Sequence, residues 1–272
     1  MLKSMYSGVS GMRGFQTKLD VIGNNIANVN TVGFKGSRVM FKDIMSQTTK
    51  GVTAPTDTPS GGVNAQQIGL GVSVGSIDTM HLAGSPMTTN NPTDLRINGD
   101  GFFLVRLSDA QEVPYLTRAG DFHVDAARNL VTSDGLFVMD NGGANITIPD
   151  DVVSFTIGQD GFINQTMADG TTQAGAQLGI GKVVNPSGLE KIGGNLYRMT
   201  ANANPDGALA PVTANSAEDG TGAIIAGQLE MSNVDLTNEF TEMIVAQRGF
   251  QANSRIITTS DEVLQEVVNL KR

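Results

Sequence analysis

Cysteine and tryptophan are absent from this chain of 272 residues, and histidine occurs only twice. Without thiols there is no disulfide, no thiolate metal site and no cysteine nucleophile. His81 and His123 stand 42 residues apart and belong to no HxxxH or HExxH arrangement, so neither is read as a metal ligand or a catalytic base. Aromatics make up 5% and hydrophobics 39% of the chain, which is little for one large compact core. The composition suggests a modest β core together with segments that bury their apolar faces elsewhere. No stretch of 18 apolar residues occurs, so no membrane span or membrane insertion is predicted. Nothing near the start resembles a cleavable signal: Met1 to Ser10 lacks an apolar run, and Lys18 and Asp20 place charges in the next ten residues. Work outside the cytoplasm would require export without a cleaved signal.

Motifs for bound cofactors fail at specific positions. Gly69-Leu70-Gly71 opens like a dinucleotide fingerprint, but Val74 stands where the third glycine is needed. Gly181-Lys182 comes after Gly175 with one residue too many for a phosphate loop, and Val183 replaces the required Ser or Thr. The repeated Asp-Gly pairs never continue into a calcium loop and read as turns. Asp150 and Asp151 are adjacent, which does not by itself build an acid–base pair. The expectation is no cofactor, no metal, no catalytic residue and no enzyme.

Charge is distributed unevenly. The net charge is −9; residues 1–50 carry +5, residues 230–272 carry −3, and the acidic remainder lies between. An acidic body disfavours nucleic acid as a partner. Opposite signs at the two ends favour their association, modestly and in a salt-dependent way.

Both ends carry helical periodicity. In the first, Leu2, Met5, Val9, Met12, Phe15, Leu19, Ile22, Ile26 and Val29 recur in steps of three and four, a coiled-coil-like seam. Gly8, Gly11, Gly14 and Gly23 weaken that helix by up to ~1 kcal/mol each, so it depends on packing. In the second, Asp235 suits an N-cap, and Leu236, Met243, Phe250, Ile257 and Leu264 recur every seven residues. Phe240 and Val268 fill the other seam position at the ends of the helix, and Gln247, Ser254 and Asp261 fill it in between. Lys271 and Arg272 close this helix with the sign its dipole favours.

Between the helices the pattern changes. Residues 48–64 have linker composition, with Gly51, Pro55, Pro59, Gly61 and Gly62 among Thr, Ser and Asp. From about Gly69 to Gln228 short β runs alternate with turn signals, including Asn98-Gly99-Asp100-Gly101, read as a hairpin turn. The predicted fold is mixed: long N- and C-terminal α-helices that pair in a coiled-coil-like layer, and an all-β central domain. The predicted divisions are 1–34 and 229–272 as the halves of a helical core, 35–75 as an extended connection and 76–228 as the β domain.

One string is more specific: Asn24-Asn25-Ile26-Ala27-Asn28-Val29-Asn30-Thr31-Val32-Gly33-Phe34-Lys35. Physically it reads as a helix C-terminus, with Gly33 free to take the left-handed conformation that stops a helix and Phe34 anchoring the exit. The string resembles the signature of flagellar basal-body rod and hook proteins, with Asn24, Asn25, Asn28, Gly33 and Phe34 as its distinctive positions. Ser232-Asn233-Val234-Asp235-Leu236 and Met243-Ile244-Val245-Ala246-Gln247-Arg248 resemble the C-terminal signature of the same family. Asn98-Gly99-Asp100-Gly101-Phe102-Phe103, Thr117-Arg118-Ala119-Gly120-Asp121-Phe122 and Gly194-Asn195-Leu196-Tyr197 resemble its central segments.

The resemblance implies a structural subunit of the bacterial flagellum, exported through the flagellar type III apparatus and polymerised into a tube around the export channel. Its implied partners are other copies of the chain, rod and hook–filament junction proteins, and the hook cap and export apparatus during assembly. Within the family, Leu19-Asp20-Val21-Ile22-Gly23 and the segment Asp235 to Asn269 look more like a hook protein. The short chain with one β domain and the stretch from Gln47 to Ile68 look more like the distal rod. The hook, a tubular universal joint that passes torque from rod to filament, is the expectation; the distal rod is the alternative. A third reading is an extracellular β-domain binding module with helical anchoring ends.

Overall fold

The computed structural model describes residues 2–54, 61–108, 111, 113–205 and 209–270. It divides into two compact units: Met1–Ala27, Ser37–Thr79 and Asp235–Arg272 form unit 1, and Asn28–Gly36 and Met80–Val234 form unit 2.

Unit 1 contains two helices, α1 (Leu2–Ala27) and α2 (Leu236–Asn269). Asp235 caps α2, its carboxylate accepting the Thr237 N–H at 2.9 Å, and Glu239 occupies the first turn, where a negative charge meets the helix dipole. Lys271 and Arg272, expected to close the helix, lie outside the described residues. The helices pair with each other, and strands come after α1. Strand β1 (Ser37–Asp43) pairs antiparallel with β4 (Val72–Thr79) through a register shift at Met40/Phe41. Strand β2 (Ser46–Lys50) pairs with β3 (Gln66–Gly69), and a Thr53–Val63 bridge carries the pairing further.

Residues 35–75, read above as a connecting segment, therefore contain strands β1 to β3 and the start of β4. Every residue of β2 and β3 is exposed, so neither strand shows the in–out alternation that marks a half-buried strand. The stretch 48–64 spans the outer part of this arm; its residues 55–60 lie outside those described.

Unit 2 is the β domain. Its largest sheet is built around Phe102–Arg106, buried at every position. Tyr115–Thr117 pairs along one side of that strand, and Phe137–Val138 and Ile180–Gly181 along the other. The three strands Val152–Ile157, Phe162–Met167 and Thr172–Gln177 form a meander, with Asp160-Gly161 and Asp169-Gly170 at its turns. Those glycines take φ of +79° and +74°, and Gly135 at another Asp-Gly pair +80°, where a Cβ would be strained.

Asn98-Gly99-Asp100-Gly101 does not close a hairpin. Leu95–Asn98 pairs with Ala223–Ala226, while Phe102–Arg106 belongs to the large sheet. The segment is a crossing between sheets. Gly99 and Gly101 hold φ of +128° and +132°, outside the left-handed values of a two-residue hairpin, and a Cβ on Gly101 would lie 2.5 Å from Ile180.

Candidate assembly surfaces

The helix pair is antiparallel and close. Gly8 lies against Ile257, Gly11 against Asn253, and Gly249 against Phe15. A Cβ on Gly11 would stand 2.9 Å from the Asn253 amide, and one on Gly249 2.6 Å from the Phe15 ring. Glycines that cost helix propensity thus let the two backbones approach. Gly14 does the same for β1, where Phe41 would meet its Cβ at 2.9 Å; Gly23 faces open space. Lys18 and Glu242 form an ion pair at 2.5 Å across the helices, exposed enough to add little stability.

On α1 the seam residues face inward to different degrees. Ile22 is buried, and Met5, Val9, Met12, Phe15, Leu19 and Ile26 are half-buried. The Leu2 side chain lies outside the described residues, and Val29 lies beyond the helix and belongs to unit 2. On α2, Met243, Ile257 and Leu264 are half-buried, whereas Leu236, Phe240, Phe250 and Val268 are exposed. The face turned to α1 is made instead from Glu239, Met243, Ala246, Gly249, Asn253, Ile257, Ser260 and Leu264, of which Ala246 is fully buried.

Two exposed apolar stripes flank that face. Leu236, Phe240 and Ile244 run along one side, and Val245, Ile256, Val263 and Val267 along the other; at about 100° per residue they fall on opposite sides of the seam. Phe240, Ile244, Val245 and Val267 are each more than half exposed. No helix among the described residues is long and apolar enough to cross a membrane.

The signature string divides between the units. In unit 1, buried Asn25 links three elements. Its amide donates to the Ser37 carbonyl at 2.8 Å and to the Glu239 carboxylate at 3.0 Å, and accepts the Ser37 N–H at 3.0 Å. One side chain so ties α1 to β1 and to the first turn of α2. Burial pushes the Glu239 carboxyl up, against the opposing hydrogen bond from Asn25. Asn24 is on the exposed side of α1.

The helix stops at Ala27, six residues before Gly33, so the left-handed residue does not end it. Asn28 accepts the Thr31 N–H at 3.2 Å and begins the turn beyond the helix. Gly33 takes φ +69° inside unit 2, where a Cβ would lie 2.5 Å from the Ala119 nitrogen, and its N–H donates to the Glu230 carbonyl at 2.7 Å. Phe34 is buried, with Lys191 Nζ 3.9 Å from its ring centroid. The boundary expected at residue 34 therefore falls at 27/28: residues 28–36 pack as part of the β domain.

Beneath that segment lies a buried charge cluster. Lys35 Nζ stands 2.6 Å from Glu230 Oε1 and 2.6 Å from the Leu82 carbonyl. Gly84 N–H donates to the same carboxylate at 2.9 Å. Arg118 reaches Glu230 Oε2 at 3.3 Å and the Gly99 carbonyl at 2.8 Å. The side chains of Lys35, Glu230 and Arg118 are 1%, 1% and 6% exposed. Burial acts to raise the Glu230 carboxyl, but Arg118, Lys35 and the Gly84 N–H together hold it below its ordinary value. Burial pushes the Lys35 amine down, against the Glu230 charge.

This cluster explains the central segments quoted above. Arg118 comes from Thr117-Arg118-Ala119-Gly120, Gly99 from the sheet crossing, and Asn195 donates to the Val32 carbonyl at 2.8 Å. Asn195 thus holds residue 32, Arg118 and Ala119 back onto Gly33, and Gly99 reaches the cluster through Arg118. Glu230 carried no sequence signal, since its partners lie 195 and 112 residues away.

A β body joined to paired terminal helices, one of which keeps apolar stripes bare, defines a class: structural chains made to pack against further chains. The chain belongs to the flagellar rod and hook family, FlgE/F/G. Residues 5–35 match the family model described as flagella basal body rod protein. Residues 96–165 match the flagellar hook protein FlgE/F/G D1 domain, and 225–270 the flagellar basal body rod FlgEFG protein C-terminal. The flagellar basal-body rod protein FlgG of Bacillus subtilis is 57% identical over 273 aligned residues that cover all of both chains. FlgG of Borreliella burgdorferi is 36% identical, again over the whole of both. The flagellar hook protein FlgE of Borreliella burgdorferi is 29% identical over a 450-residue alignment, longer than this chain, so the hook relative holds sequence with no counterpart here.

Proposed function

We propose that the chain is a structural subunit of the flagellar distal rod, which polymerises with copies of itself into a tube around the export channel and catalyses no reaction. One observation carries this reading above the hook expected from the sequence: the full-length, gap-poor match to a rod protein at 57% identity, against a lower and interrupted match to a hook protein. The resemblance of Leu19 to Gly23 and of the C-terminal segment to hook proteins reflects what the two branches of one family share. The bare stripes on α2 support polymerisation, because apolar faces of this size are otherwise covered by a partner. On this reading the paired helices line the tube, the subunit is exported without a cleaved signal, and its neighbours are adjoining rod and hook subunits.

The test is microscopy. Concentrated purified protein is expected to form straight tubes, and a deletion strain to lack the outer rod and everything beyond it. Curved tubes, or a deletion strain that keeps a complete rod and loses only the hook, would restore the hook reading.

The β2–β3 arm adds a prediction. Two-stranded arms with both faces exposed are marginal alone, so the arm is stabilised by packing against neighbours in the tube. There it fixes the offset between layers. Deleting residues 48–64 leaves the helix pair intact, so tubes still form, but they bend more easily. Persistence lengths from filament images should fall severalfold; an unchanged bending stiffness would reduce the arm to a passive connection.

A further inference from the structure

Asparagine precedes glycine at two places, Asn98-Gly99 and Asn141-Gly142. This pair has a chemistry of its own. The glycine nitrogen can attack the asparagine side-chain carbonyl, because no Cβ hinders its approach and the glycine backbone adapts to the ring that forms. Ring closure needs the peptide unit between the two residues to rotate and the glycine nitrogen to be free of other bonds. The fold treats the two pairs differently.

Asn98-Gly99 is held fast. Asn98 pairs with Ala223. A Cβ on Gly222 would stand 2.7 Å from the Asn98 carbonyl oxygen, and one on Gly99 2.9 Å from the Gly222 Cα, so this peptide unit is wedged against Gly222. On its far side Arg118 Nη2 holds the Gly99 carbonyl at 2.8 Å. The Asn98 residue is exposed, but its backbone has no room to turn.

Asn141-Gly142 lies in the middle of a turn. The Gly143 N–H donates to the Asp140 carbonyl at 3.1 Å, and the Asp140 carboxylate accepts the Ala144 N–H at 2.6 Å, so the turn is fixed at its ends. Its middle is open. Neither the Asn141 side-chain amide nor the Gly142 N–H has a hydrogen-bond partner. Gly142 is exposed, and the nearest atoms to a Cβ there would be those of the Asp140 carboxylate, at 3.4 to 3.8 Å.

We propose that Asn141 is a site of spontaneous deamidation, closing onto Gly142 as a succinimide that opens to aspartate or isoaspartate, while Asn98 stays intact in the folded chain. The Gly142 nitrogen loses its proton and bonds to Asn141 Cγ; the Cγ–Nδ2 bond breaks, and ammonia leaves with that proton. One water then opens the ring. Attack at Cγ gives aspartate; attack at the main-chain carbonyl gives isoaspartate, whose main chain runs through the side chain and is one atom longer. Either product adds one negative charge next to Asp140.

The place of the turn gives this change a consequence. The Asn141 N–H donates to the Gln177 carbonyl at 2.9 Å, the Gly179 N–H donates to the Met139 carbonyl at 3.1 Å, and Asp140 bridges to Leu178 between them. These contacts tie the turn to the chain leaving the last strand of the meander. A main chain one atom longer at 141 takes them out of register, so isoaspartate loosens this edge of the β domain as the molecule ages.

The test is incubation of the full-length protein in mildly alkaline buffer, folded or unfolded in urea, followed by peptide mass spectrometry and labelling with isoaspartyl methyltransferase. In the folded protein the peptide holding 141–142 is expected to gain one mass unit and the methyl label, and the peptide holding 98–99 to gain neither. In urea both peptides should react. Gly142 does not need a positive φ and has room for a methyl group, so Gly142→Ala should keep the fold and slow the reaction severalfold. Amide exchange at Gly179 should be faster in the isoaspartate fraction than in fresh protein. Folded protein modified at 98–99 as fast as at 141–142, or modified at neither while both react in urea, would overturn the proposal.

Discussion

Glu230→Ala is expected to lower the unfolding free energy of unit 2 by about 3–5 kcal/mol, because it leaves Lys35 and Arg118 as two buried cations with no counter-charge. It also strips the Gly84 N–H of its acceptor. Urea unfolding monitored through tyrosine suits the measurement: the chain has no tryptophan, and Tyr197 is buried in unit 2 beside His81. The same carboxylate makes the domain sensitive to acid. Glu230 titrates below its ordinary value of 4.5, so its contribution is complete above that pH and is lost as the pH falls through its own lower value. Glu230→Gln should remove that part of the acid dependence along with the stability. A loss under about 1 kcal/mol in the alanine variant would mean that the cluster is no more than a surface-like ion pair.

A comparably large effect is expected on assembly. Ile244→Asp places a carboxylate in a stripe that is bare in the single chain and, on the proposed reading, covered in the tube. Burying it unpaired costs several kcal/mol per subunit, which raises the concentration needed for polymerisation by more than about a hundredfold. Because Ile244 is 59% exposed, the helix pair of the monomer should keep its circular dichroism. Ile257→Asp is the contrasting variant. Its side chain packs on Gly8, so both assembly and monomer helicity should fall. Normal tubes from Ile244→Asp would show that this stripe stays in solvent.

How far these features were legible in the sequence differs from element to element. Both helices were visible from three-and-four spacing, and the α2 cap from Asp235. The register of the α2 seam was not. A strict seven-residue repeat drifts by about 20° per heptad around a straight helix, so Leu236, at the start of the repeat, lies well off the buried face that Ile257 and Leu264 share. The true face also uses Ala246, Gly249, Asn253 and Ser260, which a count of large apolar residues passes over. Strands β1 to β3 went unseen because they bury too little to show a sustained alternation. The charge cluster went unseen for another reason: Lys35, Arg118 and Glu230 are ordinary residues individually, and only the fold brings them together. The quoted family segments did mark its surroundings, since they supply Arg118, its acceptor Gly99 and the Asn195 that holds residue 32.

The antiparallel helix pair joins the two ends of the sequence, and this sets an order of events during synthesis. Leaving a ribosome, α1 is among the first segments made; β1 and β4 can cover part of it, but the side that meets α2 stays bare until α2 emerges. The β body, whose contacts lie mostly between those points, can finish earlier. Closing so long a loop adds only modest entropy, since the cost grows with the logarithm of length. What the arrangement imposes is timing: contacts at high sequence separation form late, and a glycine-weakened α1 does not hold its shape while waiting. A chain interrupted anywhere before Leu236 would expose a bare α1 seam indefinitely, and every partly made subunit passes through that state.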